Sequence, residues 1–108
     1  MDAIYRAQRS ALLVPEDDRN IRYVEHRPEH FAVPSTASDK FVLVEITLFP
    51  GRSVEAKTRL HRAITANFGD LGIAPDDIFV VLNEPTLENW AVGGVPGSEL
   101  QISFSVDV

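Results

Sequence analysis

KFVLVEITLFPGRSVEAKTRLHRAITANFGDLGIAPDDIFVVLNEP, residues 40–85, reads as a strand, a helix and a second strand. In its opening part Val42, Val44, Ile46 and Leu48 alternate on one face, with Phe41, Leu43 and Phe49 on the other. Apolar side chains on both faces predict a strand covered on both sides, by helices or by another subunit. After the PGRS turn, Ser53 stands where a helix N-cap is expected, and Glu55 lies in the first turn, where negative charge suits the helix dipole. Leu60, Ile64, Phe68 and Leu71 then share one stripe at helical spacing, and Gly69 and Gly72 supply the stop. IFVVLNEP, rich in β-branched residues and closed by Pro85, predicts a second strand, and a crossover of this kind sets the two strands parallel.

Toward the C-terminus, TLENWAVGGVPGSE carries three glycines and predicts a loop, whereas LQISFSVDV alternates strictly from Leu100 to Val108 and predicts a last strand with one wet face. Toward the N-terminus, MDAIYRAQRSALLVPEDD has the pattern of the second half of a helix and its exit turn. Sliding the chain against itself by sixty places sets Ala3 on Ala63, Ile4 on Ile64, Leu13 on Ile73, Pro15 on Pro75 and Asp17 on Asp77. With one residue slipped, NIRYVEHRP (20–28) occupies the place of IFVVLNEP and is expected to be a strand. The chain therefore reads as one domain, residues 1–108: a partial first repeat over 1–34, a complete second repeat over 40–85, and a loop and terminal strand over 86–108. Residues 41–60 have no counterpart in the first copy, so a strand and half a helix are expected to be missing from its start, by truncation or a misassigned start.

A chain of 108 residues supports one modest core, and 44% apolar with 24% charged residues is ordinary for a globular protein. The net charge of −6, without a basic cluster, disfavours nucleic acid. No cysteine is present, which excludes disulfides and thiolate chemistry, and neither a signal peptide nor a membrane-spanning apolar run is seen. A cytoplasmic protein is the expectation. His26 and His30 flank Pro28, which argues against a helix offering both to a metal, and neither a metal nor a cofactor is expected. Arg27 is expected to pair with surface carboxylates. No serine is tied by spacing to a histidine and an acid, and GGVPG lacks the following helix that a phosphate loop needs.

GRS at a strand-to-helix turn, the paired PEDD and APDD turns, and VPEDDR, EHRP and LENW in this order together resemble the tautomerase superfamily, in particular relatives of malonate semialdehyde decarboxylase. The resemblance implies an α+β fold: two β-α-β units forming a four-stranded mixed sheet with two helices on one face, here without the first strand, and three subunits joined as a homotrimer. It implies that Arg52 binds a substrate carboxylate, that Asp18 assists catalysis, and that Trp90 walls the pocket. From the residues alone Arg52 reads equally as a solvated turn residue, Asp18 as a turn aspartate whose neighbour Asp17 has a twin in Asp77, and Trp90 as a loop or subunit anchor. The decarboxylase branch has a further arginine where this chain has Pro50, which leaves that branch's substrate in doubt.

Relatives use an amino-terminal proline whose secondary amine moves the proton. Here Asp2 follows Met1, and the nitrogens of Pro15 and Pro28 are amides. The function implied is keto-enol tautomerisation, or a related decarboxylation or hydration, of a small carboxylate-bearing carbonyl or enol compound, impaired in this chain. The alternative is a non-catalytic binding or assembly subunit of the same fold.

Overall fold

The alternation in residues 42–47 forms a strand, β1 (Val42–Thr47), and the β-branched run after the APDD turn forms β2 (Ile78–Asn83) in a computed structural model that describes residues 1–100. The two run parallel, in register from Val42 beside Ile78 to Thr47 beside Asn83, as the crossover between them requires. That crossover is helix α2 (Val54–Gly69), which begins where expected: the Ser53 hydroxyl accepts the Ala56 N–H at 3.1 Å. Its stripe of Ala56, Leu60, Ile64 and Phe68 is buried. Leu71, expected on the same stripe, is instead 64% exposed, because the helix stops at Gly69 and the turn through Gly72 (φ 80°) carries Leu71 outward.

The N-terminal segment forms helix α1 (Asp2–Leu12), which buries Ala3, Ala7, Ala11 and Leu12. Alanines at four-residue spacing let the two helix backbones approach closely. The pair is antiparallel: Asn67 Nδ2 donates to the Ala3 carbonyl at 2.9 Å near one end, and Arg59 Nη2 to the Ala11 carbonyl at 3.4 Å near the other. Val44, Ile46 and Leu48 of β1 and the segment after it complete the core under both helices, with Leu12, Leu60 and Ile64 its largest fully buried side chains. α1 closes through Leu13 in the left-handed region (φ 56°), and the Arg9 guanidinium bonds the Val14 carbonyl at 2.6 Å just beyond. The exit turn then closes with the Asp18 N–H on the Pro15 carbonyl at 3.0 Å. The turn before β2 closes the same way, the Ile78 N–H bonding the Pro75 carbonyl.

Fold class and central unit agree with the sequence reading; two other expectations do not. NIRYVEHRP forms no strand: residues 20–27 have no regular structure, Pro28–His30 form a 3-10 turn, and Tyr23 and Val24 are 69% and 59% exposed. A strand persists only where a neighbour takes its backbone N–H and C=O groups, and among the described residues no strand pairs with this segment. The four-stranded sheet is accordingly seen as the β1–β2 pair and a separate small hairpin. That hairpin lies in the stretch expected to be loop: β3 (Ala91–Val92) and β4 (Val95–Pro96) are antiparallel, joined by Gly93 and Gly94 at φ 59° and 80°. Two consecutive positive φ angles make the tight turn that matches strand twist, which glycine adopts without steric cost. The C-terminal strand expected from Leu100 onward falls on residues 101–108, outside those described.

The segment between the turn after α1 and β1 is fastened at both ends. His26, Phe31 and Phe41 stack edge to face, with centroids 5.1 and 5.7 Å apart. Asp77, buried at 5% exposure, accepts the Ser38 N–H at 2.6 Å and the Ser38 hydroxyl at 2.7 Å.

Candidate functional site

Parallel strands present their carboxyl ends together, and in open α/β arrangements ligands are taken at that end. Here the ladder runs one step past β1, the Leu48 N–H donating to the Asn83 carbonyl at 2.9 Å. Beyond it the chain turns through Phe49, Pro50 and Gly51 (φ 117°) and enters α2 at Arg52 and Ser53. This short connection draws Arg52 to the mouth of the helix, where it is 6% exposed. Burial pushes its guanidinium below the ordinary value, and the carboxylates of Asp18 and Glu84 act in the opposite direction. Arginine stays protonated in such a setting, so burial is felt as an unfavourable energy of the charge. The planar guanidinium fork matches a carboxylate.

An aromatic pair joins two elements at this end. Phe49, at the end of β1, and Trp90, at the end of a 3-10 turn (Leu87–Asn89), have ring centroids 4.6 Å apart, tilted by 45°. The indole N–H of Trp90 bonds the Pro85 carbonyl at 2.9 Å, so the polar edge of the ring is satisfied within its own loop. Gly97 locks that loop from behind: its N–H bonds the Trp90 carbonyl at 2.6 Å, and a β-carbon there would stand 1.8 Å from the Leu87 carbonyl oxygen. A further ion pair lies at the same end, the Lys57 ammonium in contact with the Glu84 carboxylate.

Of the residues singled out from sequence, Arg52 and Trp90 therefore sit at one end of the β1–β2 pair, and Asp18, exposed on the turn after α1, is near enough for its charge to act on Arg52. Phe49, Lys57, Glu84 and Gly97 were not singled out. Phe49 carried a strand signal that hid its second use, and Glu84 could have been noticed as the first charge after β2. Arg27 does not join the group; it lies 3.8 Å from Glu29 on the surface. His26 stacks on Phe31, and among the described residues no three His, Asp or Glu side chains could hold a metal ion.

Comparison with known proteins bears on this arrangement. The sequence profile described as "Tautomerase enzyme" matches residues 18–93. The probable tautomerase YusQ of Bacillus subtilis (strain 168) is 27% identical over 96 residues, 83% of this chain and 76% of that protein. The probable tautomerase RSp0893 of Ralstonia nicotianae is 37% identical over 57 residues, 52% of this chain and 81% of that protein. Among solved structures, a malonate semialdehyde decarboxylase superposes with a TM-score of 0.77 at 30% identity, covering 90% of this chain and 79% of that one. A second, inhibited by 3-bromopropiolate, gives 0.78 at 27% identity, covering 94% and 84%. A fused 4-OT asymmetric trimer gives 0.79 at 16% identity, covering 90% and 80%, a likeness of fold. The parallel strands, the crossover helix and the matched span together place this chain in the tautomerase family, in the subgroup of the malonate semialdehyde decarboxylases.

Proposed function

We propose that this chain binds a small carboxylate-bearing carbonyl or enol compound and that its chemistry is keto-enol proton transfer or a related decarboxylation or hydration. The observation that carries the reading is the nearly buried Arg52 at the carboxyl end of β1, beside the Phe49–Trp90 wall. Arg52 takes the carboxylate through its guanidinium fork. The rings of Phe49 and Trp90 exclude water on one side, and Asp18 holds or orients the group that exchanges the proton. In tautomerisation the enol gives up its O–H proton and the α-carbon gains one, so one base of suitable pKa must take the O–H proton and, in its protonated form, deliver a proton to that carbon.

Relatives supply that base as an amino-terminal proline, and Asp2 follows Met1 here. A second reading is a binding or assembly subunit of this fold. Assembly as a homotrimer belongs to the proposal: a structural neighbour is described as a trimer, and Leu43, Phe79 and Val81 leave an apolar sheet face uncovered. The net charge of −6 disfavours a nucleic-acid partner, and among the described residues no helix is long and apolar enough to cross a membrane.

The test follows ketonisation of an aryl enolpyruvate by its ultraviolet absorbance. Three proteins are compared: the 108-residue chain, the same chain extended by a β-strand segment beginning with proline, and that extension beginning with alanine. The catalytic reading expects turnover from the proline form alone and carboxylate binding by all three. Binding without turnover in every form would favour the second reading.

A further inference from the structure

A cyclic trimer joins unlike patches, because each copy must offer one surface to a neighbour and receive a different one from the other neighbour. The outer face of β1 and β2 supplies one patch, with Leu43, Phe79 and Val81 exposed beside Glu45. The hairpin of β3 and β4 supplies a second. Val92 and Val95 are register partners, so their side chains stand together on one face of the hairpin, at 48% and 41% exposure. Residues 91–96, AVGGVP, carry no charge in a chain that is 24% charged. Tyr23 and Val24 are exposed as well, but they lie between Arg22 and Glu25 on a segment without regular structure. The hairpin, by contrast, is held in shape: Gly93 and Gly94 close its tip at positive φ, and the bond from the Gly97 N–H to the Trp90 carbonyl at 2.6 Å continues its pairing at the base. An apolar element that is already ordered loses little freedom on docking.

We infer that the hairpin of one copy docks on the outer β1–β2 face of the next, with Val92 and Val95 set against Leu43, Phe79 and Val81. This rests on the trimer proposed above. Chemistry favours this pairing over two sheet faces meeting each other. Face to face, two copies bring their Glu45 carboxylates into one apolar contact, where each loses water and gains no cation. A contact of that kind is also its own complement and stops at two copies. The uncharged hairpin covers the apolar part of the face and leaves Glu45 at its rim, in water.

The full chain contains no cysteine, so single cysteines can be introduced without background. Val81→Cys and Val92→Cys, each close in size to the residue replaced, are mixed in equal amounts and treated with a short bis-maleimide. The expected product joins position 81 of one copy to position 92 of another, as identified by mass spectrometry. Val92→Glu is expected to weaken association by more than about tenfold in sedimentation, because a charge then enters the apolar contact beside Glu45. Its melting temperature as a dilute monomer should match the parent's, since Val92 is exposed on the hairpin. Two results overturn the inference while leaving the trimer standing: a parent chain that sediments as an assembly but gives no such link in the mixture, or a Val92→Glu variant that associates as the parent does. A parent chain that sediments as a monomer overturns the trimer reading and this inference with it, and sedimentation of the parent alone distinguishes that case.

Discussion

Arg52 carries its charge where desolvation works against it, and that gives its replacement an unusual signature. Arg52→Met is expected to weaken carboxylate binding by at least about tenfold, the scale of a charge-assisted contact. Thermal stability should fall by less than the affinity does, since the methionine stem keeps the packing of the buried side chain. Arg52→Lys should not recover binding, because an ammonium cannot present the planar fork. Titration and thermal melts on the same samples separate these outcomes, and a fall in stability matching the fall in affinity would contradict the assignment. Asp77 behaves differently. The Ser38 N–H, and after it the Ser38 hydroxyl, hold its carboxyl below the ordinary carboxylate value. Its folded pKa is thus lower than its unfolded one, so its contribution is complete above the unfolded value of about 3.9 and is lost as pH falls through the folded value. Asp77→Asn is expected to melt at lower temperature than the parent at neutral pH, and the gap should close in acid. A gap that stays constant from neutral pH to below pH ~3 would show that the pair with Ser38 does not depend on the charge.

At the level of elements, the loop that carries Trp90 depends on one position without a side chain. In Gly97→Ala the new methyl would overlap the backbone of Leu87, and the bond from the Gly97 N–H to the Trp90 carbonyl would be lost. Trp90 should leave Phe49, its emission should move to longer wavelength, and malonate affinity should drop, while the helix content seen by circular dichroism stays constant. An unaltered emission spectrum would refute this. Which parts of this architecture were legible beforehand follows from the range of the interactions that make them. β1, α2 and β2 were readable because alternation, helical spacing and the Ser53 cap are written within each segment. Residues 20–27 failed because strand formation there needs a distant partner, whatever the local pattern says. The hairpin at 91–96 hid in a glycine-rich stretch whose turn type depends on two φ angles. For the site, Arg52 was named by the family resemblance of the GRS turn, while its place in the sequence fitted a solvated turn residue as well. Phe49, Lys57 and Glu84 acquire their meaning from contacts between elements, which no spacing along the chain displays.

On the scale of the whole molecule, the two faces of the β1–β2 pair have unequal fates. One packs Val44, Ile46 and Leu48 into the core, whereas the other leaves Leu43 at 43%, Phe79 at 52% and Val81 at 36% exposure. Leu43 and Phe79 are register partners, and Val81 lies beside Glu45, so the apolar part of this face is continuous at the strands' amino ends. Covering it with another copy removes the largest of these side chains from water; burying a fully exposed phenylalanine contributes about 1.5–3 kcal/mol, and the half-exposed Phe79 gains about half of that. Phe79→Asp reverses that gain and sets a second carboxylate near Glu45 in every copy, on a chain that already carries a net charge of −6. Sedimentation of this variant is expected to show monomer at concentrations where the parent chain is assembled, with association weakened by more than about tenfold. Helix content should be retained, because α1 and α2 pack on the opposite face. If the variant still sediments as the parent does, the outer sheet face is not where copies meet, and the assembly reading fails without touching the assignment of Arg52.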